Sequence, residues 1–424
     1  NSFLAKIDAN GDLLWAKPDT TGDYDLAGTA VTVTADGGVI YVDKFRTRKG
    51  RYMSFINWYG ADGNFVESNN LTFSTVKTAE MTAEPLDSYA WAGVAQAEDS
   101  TVYLAGYQAD SIFPTWQDTI PMRPNSWNGN STTKSSNCNT VIIKYDKTLK
   151  YVGYVINSDE LVYDRPTGLH YENGKLYVAG TYSNGTETGI YAARYDKDLT
   201  REYIQYHPVT GSLQFQQTKF ADGKIFVCGG LTKGSITIGD KTLATNGNFN
   251  HGLVYVMSMA DGSVVDAAVY SAANNALNIT VAAYPTKDGY VAYNYEFGSL
   301  RALHYDKDMN LVSADTLATG GGSSNVSVVG RSADGKKTAV GLRARTAAEF
   351  NLLGETMNFA DKTNWYSVIA VLNTEEQIAT DLGEVESVKC KVKSEKVLRD
   401  GRLYIMYEGT MYDVQGRVVE RVKE

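Results

Sequence analysis

A two-strand phrase recurs along the chain and limits the fold more than any other feature. It consists of an apolar strand, a polar turn and a second strand, as in FLAKIDANGDLLWAK (Phe3 to Lys17) and VIIKYDKTLKYVGY (Val141 to Tyr154). Further copies begin at Phe55, Tyr191, Val254, Leu300 and Val368. Because self-similarity at a regular spacing marks repeat architectures, each copy should belong to one structural unit.

A second phrase alternates with the first and forms a hairpin around an Asp-Gly or Asn-Gly turn. Typical copies are YENGKLYVAGTY (Tyr171 to Tyr182) and FADGKIFVCGG (Phe220 to Gly230). Other copies begin at Val33, Gln96, Thr286 and Ser332. These turn residues supply the positive φ that tight hairpins require. One inner and one outer hairpin together predict a four-stranded antiparallel unit, repeated every 45 to 85 residues or so.

The repeat predicts an all-β fold, because the unit cannot bury both of its faces alone. Stacking the units around an axis buries both faces, and closing the ring protects the edge strands. Seven outer and six inner phrases therefore favour a seven-bladed β-propeller, with six or eight blades as alternatives. The composition agrees, since the chain has 29 Tyr and 39 Gly, and no long window has helical spacing.

One stretch resembles a known family of repeats. GGLTKGSITIGDKTLATNGNFNHGLVYVMSMADGSVV (Gly229 to Val265) has a strand ending in Gly, a short apolar hairpin around a Gly, then a strand and D-x-x-G. It resembles the bacterial β-propeller repeat often found in secreted proteins, including quinoprotein-like repeats, and Phe350 to Asn373 is a looser copy. The resemblance covers about Asn1 to Asp381. It implies a propeller and an exported protein but no particular ligand, because such repeats serve many roles.

The composition changes near Gly383, where a Lys/Arg-rich tail begins. KVLRDGRLYIMYEGTMYDVQGRVVE is similar to the C-terminal segment of secreted Bacteroidetes proteins, where it resembles the type IX sorting domain. The alternating lysines of VKCKVKSEK do not suit the apolar innermost strand of a propeller. We therefore expect a propeller over 1–383 and a small C-terminal β module over 384–424. In the alternative, the tail supplies ring-closing strands for the blade that Asn1 to Lys17 begins.

Charge and motif content exclude several classes of protein. The net charge of −9, with both signs interspersed, argues against a nucleic-acid partner. No apolar run approaches the length of a membrane span. The chain begins inside a strand phrase, so we expect that upstream residues were removed. Cys138, Cys228 and Cys390 show no metal-binding spacing, and we expect free, mostly buried thiols. We expect an extracellular or cell-surface monomer without a cofactor or metal.

The connections between hairpins predict where a ligand would bind. The turns inside hairpins are short and uniform, whereas the other connections are long and fall on the opposite face, where function usually lies. The longest, Ser111 to Thr140, carries Trp116, Arg123 and Trp127 among amide and hydroxyl side chains. Such a set suits a sugar or a peptide. Alternatively, these tryptophans pack the loop onto its own blade.

Two further groups are expected on the same face. The segment SDELVYDRP contributes Tyr163, Asp164 and Arg165, and the last long connection lies near Arg343, Arg345 and Trp365. The arginines suit an anionic ligand, because a guanidinium forms charge-assisted hydrogen bonds. The alternatives are an ordinary solvated turn at 163–165 and surface ion pairs at the two later arginines.

Catalytic motifs give little support to an enzyme. The four histidines are scattered over different repeats, and neither H-E-x-x-H nor G-x-S-x-G is present. The sequence therefore favours a secreted or cell-surface propeller that binds a glycan, peptide or protein without catalysis. One alternative is a glycoside hydrolase or lyase whose acids converge on the propeller axis. The other is a structural platform in a surface assembly, which would expose a broad apolar patch.

Overall fold

The computed structural model describes 3–8, 12–18, 27–46, 52–73, 90–108, 112–114, 118, 120, 139–157, 163–184, 186–245, 250–271, 278–296, 298–320, 325–332, 334–345, 350–357, 365–373, 394–399, 402–407, 410–412 and 418–421. All regular secondary structure in these ranges is β-strand, so the all-β prediction is confirmed. The described part of the chain has no helix with the length and apolar character to cross a bilayer.

The strands of the first half are β1 (Phe3–Ile7), β2 (Leu13–Pro18), β3 (Ala27–Val33), β4 (Val39–Arg46), β5 (Tyr52–Tyr59), β6 (Phe65–Phe73), β7 (Ala90–Gln96), β8 (Val102–Gln108), β9 (Ile112–Phe113), β10 (Asn139–Tyr145), β11 (Tyr151–Asn157), β12 (Tyr163–Glu172), β13 (Lys175–Ser183), β14 (Thr188–Asp196) and β15 (Arg201–Ala221).

The later strands are β16 (Lys224–Ile238), β17 (Lys241–Ala244), β18 (His251–Ser258), β19 (Val264–Tyr270), β20 (Asn278–Pro285), β21 (Gly289–Glu296), β22 (Ser299–Asp306), β23 (Leu311–Gly320), β24 (Asn325–Arg331), β25 (Lys337–Arg345), β26 (Phe350–Leu352), β27 (Glu355–Met357), β28 (Trp365–Asn373), β29 (Ser394–Arg399), β30 (Arg402–Tyr407), β31 (Thr410–Tyr412) and β32 (Val418–Arg421).

Each inner hairpin is followed by an outer hairpin, and the two pair into one antiparallel sheet. The resulting four-stranded orders are sheet I (β3-β4-β5-β6), sheet II (β7-β8-β10-β11), sheet III (β12-β13-β14-β15), sheet IV (β15-β16-β18-β19) and sheet V (β20-β21-β22-β23). Strands β24, β25 and β28 pair in that order. The predicted four-stranded unit is therefore confirmed, while the number of blades and the closure of a ring stay predictions.

The chain divides into two compact units. The smaller comprises Asn1–Thr72, Arg331–Ala339 and Ala370–Glu424, and the larger comprises Phe73–Gly330 and Val340–Ile369. In the smaller unit, β1 pairs with β2, and the tail forms its own four-stranded order β29-β30-β31-β32. The division at 383, and the choice between a separate module and ring-closing strands, stay predictions.

Sheets III and IV bury both of their faces against neighbouring sheets. In sheet III, Leu176 packs in one cluster with Tyr103 of sheet II. The next residue, Tyr177, packs in another cluster with Ile225 of sheet IV. Successive side chains of a strand point to opposite faces, so strands buried on both sides read as continuous apolar runs. This explains why the inner hairpins lack the alternation of a half-exposed strand.

A β-bulge interrupts the first strand of each of sheets I to V, and sequence reasoning did not predict it. In sheet III the register shifts between Pro166 and Gly168. The corresponding shifts lie at Gly28/Ala30, Trp91/Gly93, Phe215/Gln217 and Thr280/Ala282. At Gly180, which faces Pro166, a Cβ atom would lie 1.9 Å from the Arg165 carbonyl oxygen. The backbone approach at the bulge therefore requires glycine there.

Sheets III and IV share one strand, which is the other departure from the sequence-based expectation. Strand β15 runs through 21 residues, and its two halves belong to successive repeats. Elsewhere successive repeats are separated by a connection, but here the chain continues through Gly211, whose φ is 105°. A glycine tolerates this backbone conformation, so the outer strand of one unit passes directly into the inner strand of the next.

Candidate functional site

The connections of each sheet fall at two opposite ends, which we call the turn end and the long-connection end. Because the strands are antiparallel and follow one another in order, both hairpin turns of a unit lie at the same end. The connection between the two hairpins, and the one to the next unit, lie at the other end. That end carries the variable segments, which range from 297–298 to 109–138.

The longest connection is described only in part. Ile112 and Ile120 form an isolated bridge, and both are fully buried. This part of the insertion is therefore packed. The candidate residues Trp116, Arg123 and Trp127 lie outside the described residues, so their role in binding stays a prediction.

Asp164 lies in a buried polar network where sheet II meets sheet III. Its side chain is 1% exposed. The Thr140 amide donates to Asp164 Oδ1 at 3.0 Å, and the Asn157 amide donates to Oδ2. The Tyr195 hydroxyl donates to Asn157 Oδ1 at 2.6 Å, and Tyr191 lies 2.7 Å from Thr140 Oγ1. Both carboxylate oxygens are thus used to join two sheets.

Burial is the main influence on the pKa of Asp164. It raises the pKa of this carboxyl to about 7, although the hydrogen bonds from Thr140 and Asn157 oppose the shift. A carboxyl group that titrates near neutral pH is common at functional sites, and also in structural networks. The side chain points into the junction between the sheets, and its proposed contact with a ligand stays a prediction.

The neighbours of Asp164 are placed at the same end of the sheet. Tyr163 begins β12 opposite Ser183. The Arg165 guanidinium stacks over the Tyr107 ring, 5.2 Å from its centroid, so it is held by an aromatic partner from sheet II. The structure thus brings Asp164 and Arg165 together with residues of the preceding sheet.

The remaining candidates are placed only by their backbone. Arg343 and Arg345 lie in the last part of β25, and Trp365 begins β28. Their predicted part in binding an anion stays a prediction.

Sequence reasoning missed a second polar network, where sheet IV meets sheet V. Asn278 occupies the position of Asp164, three residues before the extra residue of the bulge. Its amide donates to the Tyr270 carbonyl oxygen at 3.0 Å, and its Oδ1 accepts from the Asn294 amide. Thr280 Oγ1 donates to Asn294 Oδ1 at 3.1 Å. At Gly252, a Cβ atom would lie 2.2 Å from Asn294 Oδ1, so glycine makes room for the amides.

Glu296 lies beside this network and is 4% exposed. Its Oε2 lies 3.1 Å from Nε of Arg301, whose side chain is 34% exposed. Within the described residues, neither Glu296 Oε1 nor Arg301 Nε has a hydrogen-bond partner, although both atoms are buried. Burial raises the pKa of the Tyr270 hydroxyl, and so do its hydrogen bond to the Glu296 side chain and the charge of that carboxylate. The pair is close enough for electrostatic attraction but poorly directed for hydrogen bonding.

The strand that carries Glu296 contains a feature that could have revealed this cluster. All eight residues of β21, GYVAYNYE, are buried, and two of them are polar at alternate positions near its end. Buried amide and carboxylate groups in an apolar strand need a specific reason.

No metal centre is present in the part of the chain that is described, since no group of three or more His, Cys, Asp or Glu side chains is arranged for one. The described cysteine, Cys228, is buried and free, as expected, while Cys138 and Cys390 lie outside the described residues. His170 stacks on Phe220 with ring centroids 5.3 Å apart, which is a packing role.

The turn end also has a cavity, between sheets IV and V. Its volume is about 270 Å³, and its lining residues are Asp222, Lys224, Pro285, Thr286, Gly289, Tyr290 and Lys307. Asp222 and Lys307 belong to hairpin turns, and Lys224 begins β16. The cavity has none of the buried, unpartnered polar atoms found near Glu296.

The comparisons with known proteins place the chain near other structures by shape only. No family model matches it, and no curated protein does either. Cobalt-substituted Synechocystis apocarotenoid oxygenase is similar, with a TM-score of 0.40 and 10% identity. The match covers 69% of this chain and 61% of the oxygenase chain.

Two other solved structures are similar to the same degree. The dihydro-heme d1 dehydrogenase NirN has a TM-score of 0.39 and 10% identity, over 89% of this chain and 76% of that one. The β-propeller domain of Myceliophteria thermophila Cps50 (Swd1) has a TM-score of 0.39 and 8% identity, over 79% of this chain and 88% of that one.

Proposed function

We propose that this chain is an exported β-propeller that binds a glycan or a peptide at the long-connection end of its sheets, without catalysis. The observation that carries the proposal is the contrast between the two ends. Uniform hairpin turns close one end of every sheet, whereas the other end carries connections of very different length and composition. A rigid stack of sheets that presents variable loops at one end is a common design for recognition.

The loop over 109–138 supports binding as its purpose, because the sheet does not need it. Gln108 and Asn139, the residues on either side of the loop, are direct partners in the ladder between β8 and β10. In sheet III the equivalent strands pair up to Ser183 and Thr188 and are joined by 184–187 alone. A short connection would therefore complete sheet II, and the extra residues are available for another role.

The test is binding of the full chain to glycan and peptide arrays. We expect a reproducible hit, and we expect Trp116→Ala and Trp127→Ala to weaken it by tenfold or more, since a stacked aromatic contributes about 1.4 kcal/mol or more. As a loop control, 121–138 is replaced by Asn184–Glu187, which keeps the buried Ile112 and Ile120, and the melting temperature is measured in parallel.

The outcomes separate binding from folding. Loss of binding with an unchanged melting temperature supports the proposal. No hit on either array at any pH, with silent tryptophan variants, would remove its basis. Cleavage of an array glycan by the wild-type chain would favour the glycosidase alternative instead, and it would direct attention to paired carboxylates about 5 to 10 Å apart.

A further inference from the structure

We propose that the cavity at the turn end, between sheets IV and V, binds a sugar acid, which is a small carboxylate that also carries hydroxyl groups. This site goes beyond the proposed function, because it lies at the opposite end of the sheets and its lining residues come from hairpins alone. Both sheets belong to the larger unit. At this junction the repeat departs from the contacts that it makes on either side of sheet III.

A basic side chain closes each of the two junctions around sheet III at the turn end. In sheet II, Lys144 donates to the Lys197 carbonyl oxygen at 2.8 Å and to Asp198 Oδ1 at 2.9 Å. In sheet III, Arg194 donates to the Ala260 carbonyl oxygen at 2.6 Å. Both basic residues stand just before the register shift of an outer hairpin. Each contact therefore joins one sheet to the outer turn of the next.

Sheet IV has Val256 at the same position, and this side chain is fully buried and apolar. Lys241 of β17 reaches the Asp308 carbonyl oxygen in the outer turn of sheet V at 3.4 Å, but its charge is balanced by Asp266. The cavity of about 270 Å³ lies at this junction. A water molecule occupies about 30 Å³ in the liquid, so the cavity has room for an organic ligand.

Lys224 lines the cavity and lacks the acidic partner of its counterpart in sheet III. The counterpart is Lys175, which begins β13 as Lys224 begins β16. Lys175 pairs with Glu202, the extra residue of the bulge in the outer hairpin. In sheet IV that extra residue is Val265, which cannot pair with a lysine. The positive charge of Lys224 is therefore not balanced from its own outer strand.

A second acidic neighbour is also replaced in sheet IV. Lys175 lies opposite Asp196 in its ladder, whereas Lys224 lies opposite Ser258. Lys307, from the outer turn of sheet V, is exposed and lines the cavity from the other side. Within the described residues, neither Lys224 nor Lys307 forms a hydrogen bond or an ion pair. Both ammonium groups are therefore available to a ligand.

The lining determines the charge and the chemistry of the ligand. Two lysines, Lys224 and Lys307, stand with one carboxylate, Asp222, so the walls carry one excess positive charge. A monoanion balances this charge, whereas Asp222 would repel a phosphate dianion more strongly. Thr286 and Tyr290 carry hydroxyl groups, and Asp222 can accept hydrogen bonds from hydroxyl groups of the ligand. A uronate has this combination of one carboxylate and several hydroxyl groups.

The experiment titrates the full chain with glucuronate and galacturonate in a calorimeter, with glucose, acetate and inorganic phosphate in parallel. We expect a uronate site that weakens as salt is added, because salt screens the lysine charges. Lys224→Gln and Lys307→Gln should each weaken uronate binding by about tenfold, since each removes a charge-assisted hydrogen bond. The matched control is Lys175→Gln in sheet III, which should bind like the wild type.

A further variant adds the missing partner and leaves both lysines in place. Val265→Glu gives Lys224 the acidic neighbour that Glu202 gives Lys175, so it should also weaken uronate binding by about tenfold. Because Val265 is 44% exposed, the melting temperature should stay within a few degrees of the wild type. If Val265→Glu does not fold, the two lysine variants decide.

The outcomes test the site and the ligand class separately. Uronate binding that is unchanged in both lysine variants overturns the site. Glucose or acetate bound as tightly as the uronates, or phosphate bound more tightly, overturns the ligand class. No binding of either uronate at about 10 mM overturns the whole inference. None of these results affects the proposed function, which is tested by the tryptophan and loop variants at the other end.

Discussion

The turn end and the long-connection end of the larger unit satisfy their polar groups with hydrogen bonds in different ways. At the turn end, one solution repeats: Asp146, Asp196 and Asp306 each accept amide hydrogen bonds from the residues two and four positions later. At the other end, each junction has its own set of polar side chains. The repeated hydrogen bonds follow from a shared structural demand, whereas the varied end is where we propose that a ligand binds.

The two junctions at the long-connection end sharpen this contrast. Asp164 and Asn278 hold the same position in the repeat, but the carboxylate joins two sheets directly, whereas the amide belongs to a network that ends beside Glu296. The first junction is closed and fully hydrogen-bonded at Asp164. At the second, the side chains of Asn278 and Asn294 bond to each other, and Glu296 pairs with Arg301.

The largest effect is expected for Asp164→Ala. It leaves the Thr140 amide and the Asn157 side chain without their buried acceptor, which should cost about 2–4 kcal/mol in the free energy of unfolding. Burial raises the pKa of Asp164 to about 7, above its ordinary value of 3.8. The folded state thus binds the proton more tightly, and the contribution of Asp164 is complete below pH 4 and decreases as the pH rises towards 7.

Urea denaturation at pH 5 and pH 8 checks this direction, and we expect the larger loss at pH 5. The control is Asp196→Ala at the turn end, where hydrogen bonds, chiefly from the Thr200 amide, lower the pKa of the carboxyl. Its contribution is present at neutral pH and lost as the pH falls below about 4. Equal pH dependence for both variants would contradict the distinction between the two ends.

A smaller effect is expected for Gly252→Ala in the second junction. The new Cβ would lie 2.2 Å from Asn294 Oδ1 and 2.8 Å from Thr280 Oγ1, so the amide network must shift. Overpacking of this kind costs about 1–3 kcal/mol. The control is Gly153→Ala in β11, where a Cβ would meet nothing within 4 Å. A Gly252→Ala protein as stable as this control would show that the network is loose.

The sequence predicted the order of the hairpins because each phrase carries its own turn residues. Gly37, Gly174, Gly223 and Gly335 have the positive φ that was expected of their turns, whereas Gly289, in the copy that begins at Thr286, does not. The polar networks were not predictable in the same way, because Asp164, Thr140 and Asn157 come from three strands and meet only after two sheets pack. The bulge in each first strand has no residue type in common, so the periodic pattern cannot reveal it.

One feature of the turns was also missed, because it contradicts the usual residue preference. Leu149, Leu199 and Met309 have positive φ values of 54°, 67° and 58°, where Gly262 supplies the same conformation in sheet IV. Each of the three side chains is buried, with at most 9% exposed. The free energy of burying an apolar side chain therefore outweighs a backbone strain of about 1–2 kcal/mol.

The smallest effect is expected from comparing Leu199→Gly with Leu199→Ala. Both lose the buried side chain, but only glycine removes the backbone strain, so the glycine variant should be more stable by about 0.5–1 kcal/mol. This reverses the ordinary order, in which alanine is more stable than glycine. Ala192→Gly in β14 should follow the ordinary order and lose stability. Urea denaturation of all three variants measures the free energies of unfolding. If alanine is better than glycine at Leu199 as well, the turn relaxes out of the left-handed conformation. The uniformity of the turn end would then depend on the aspartate hydrogen bonds alone.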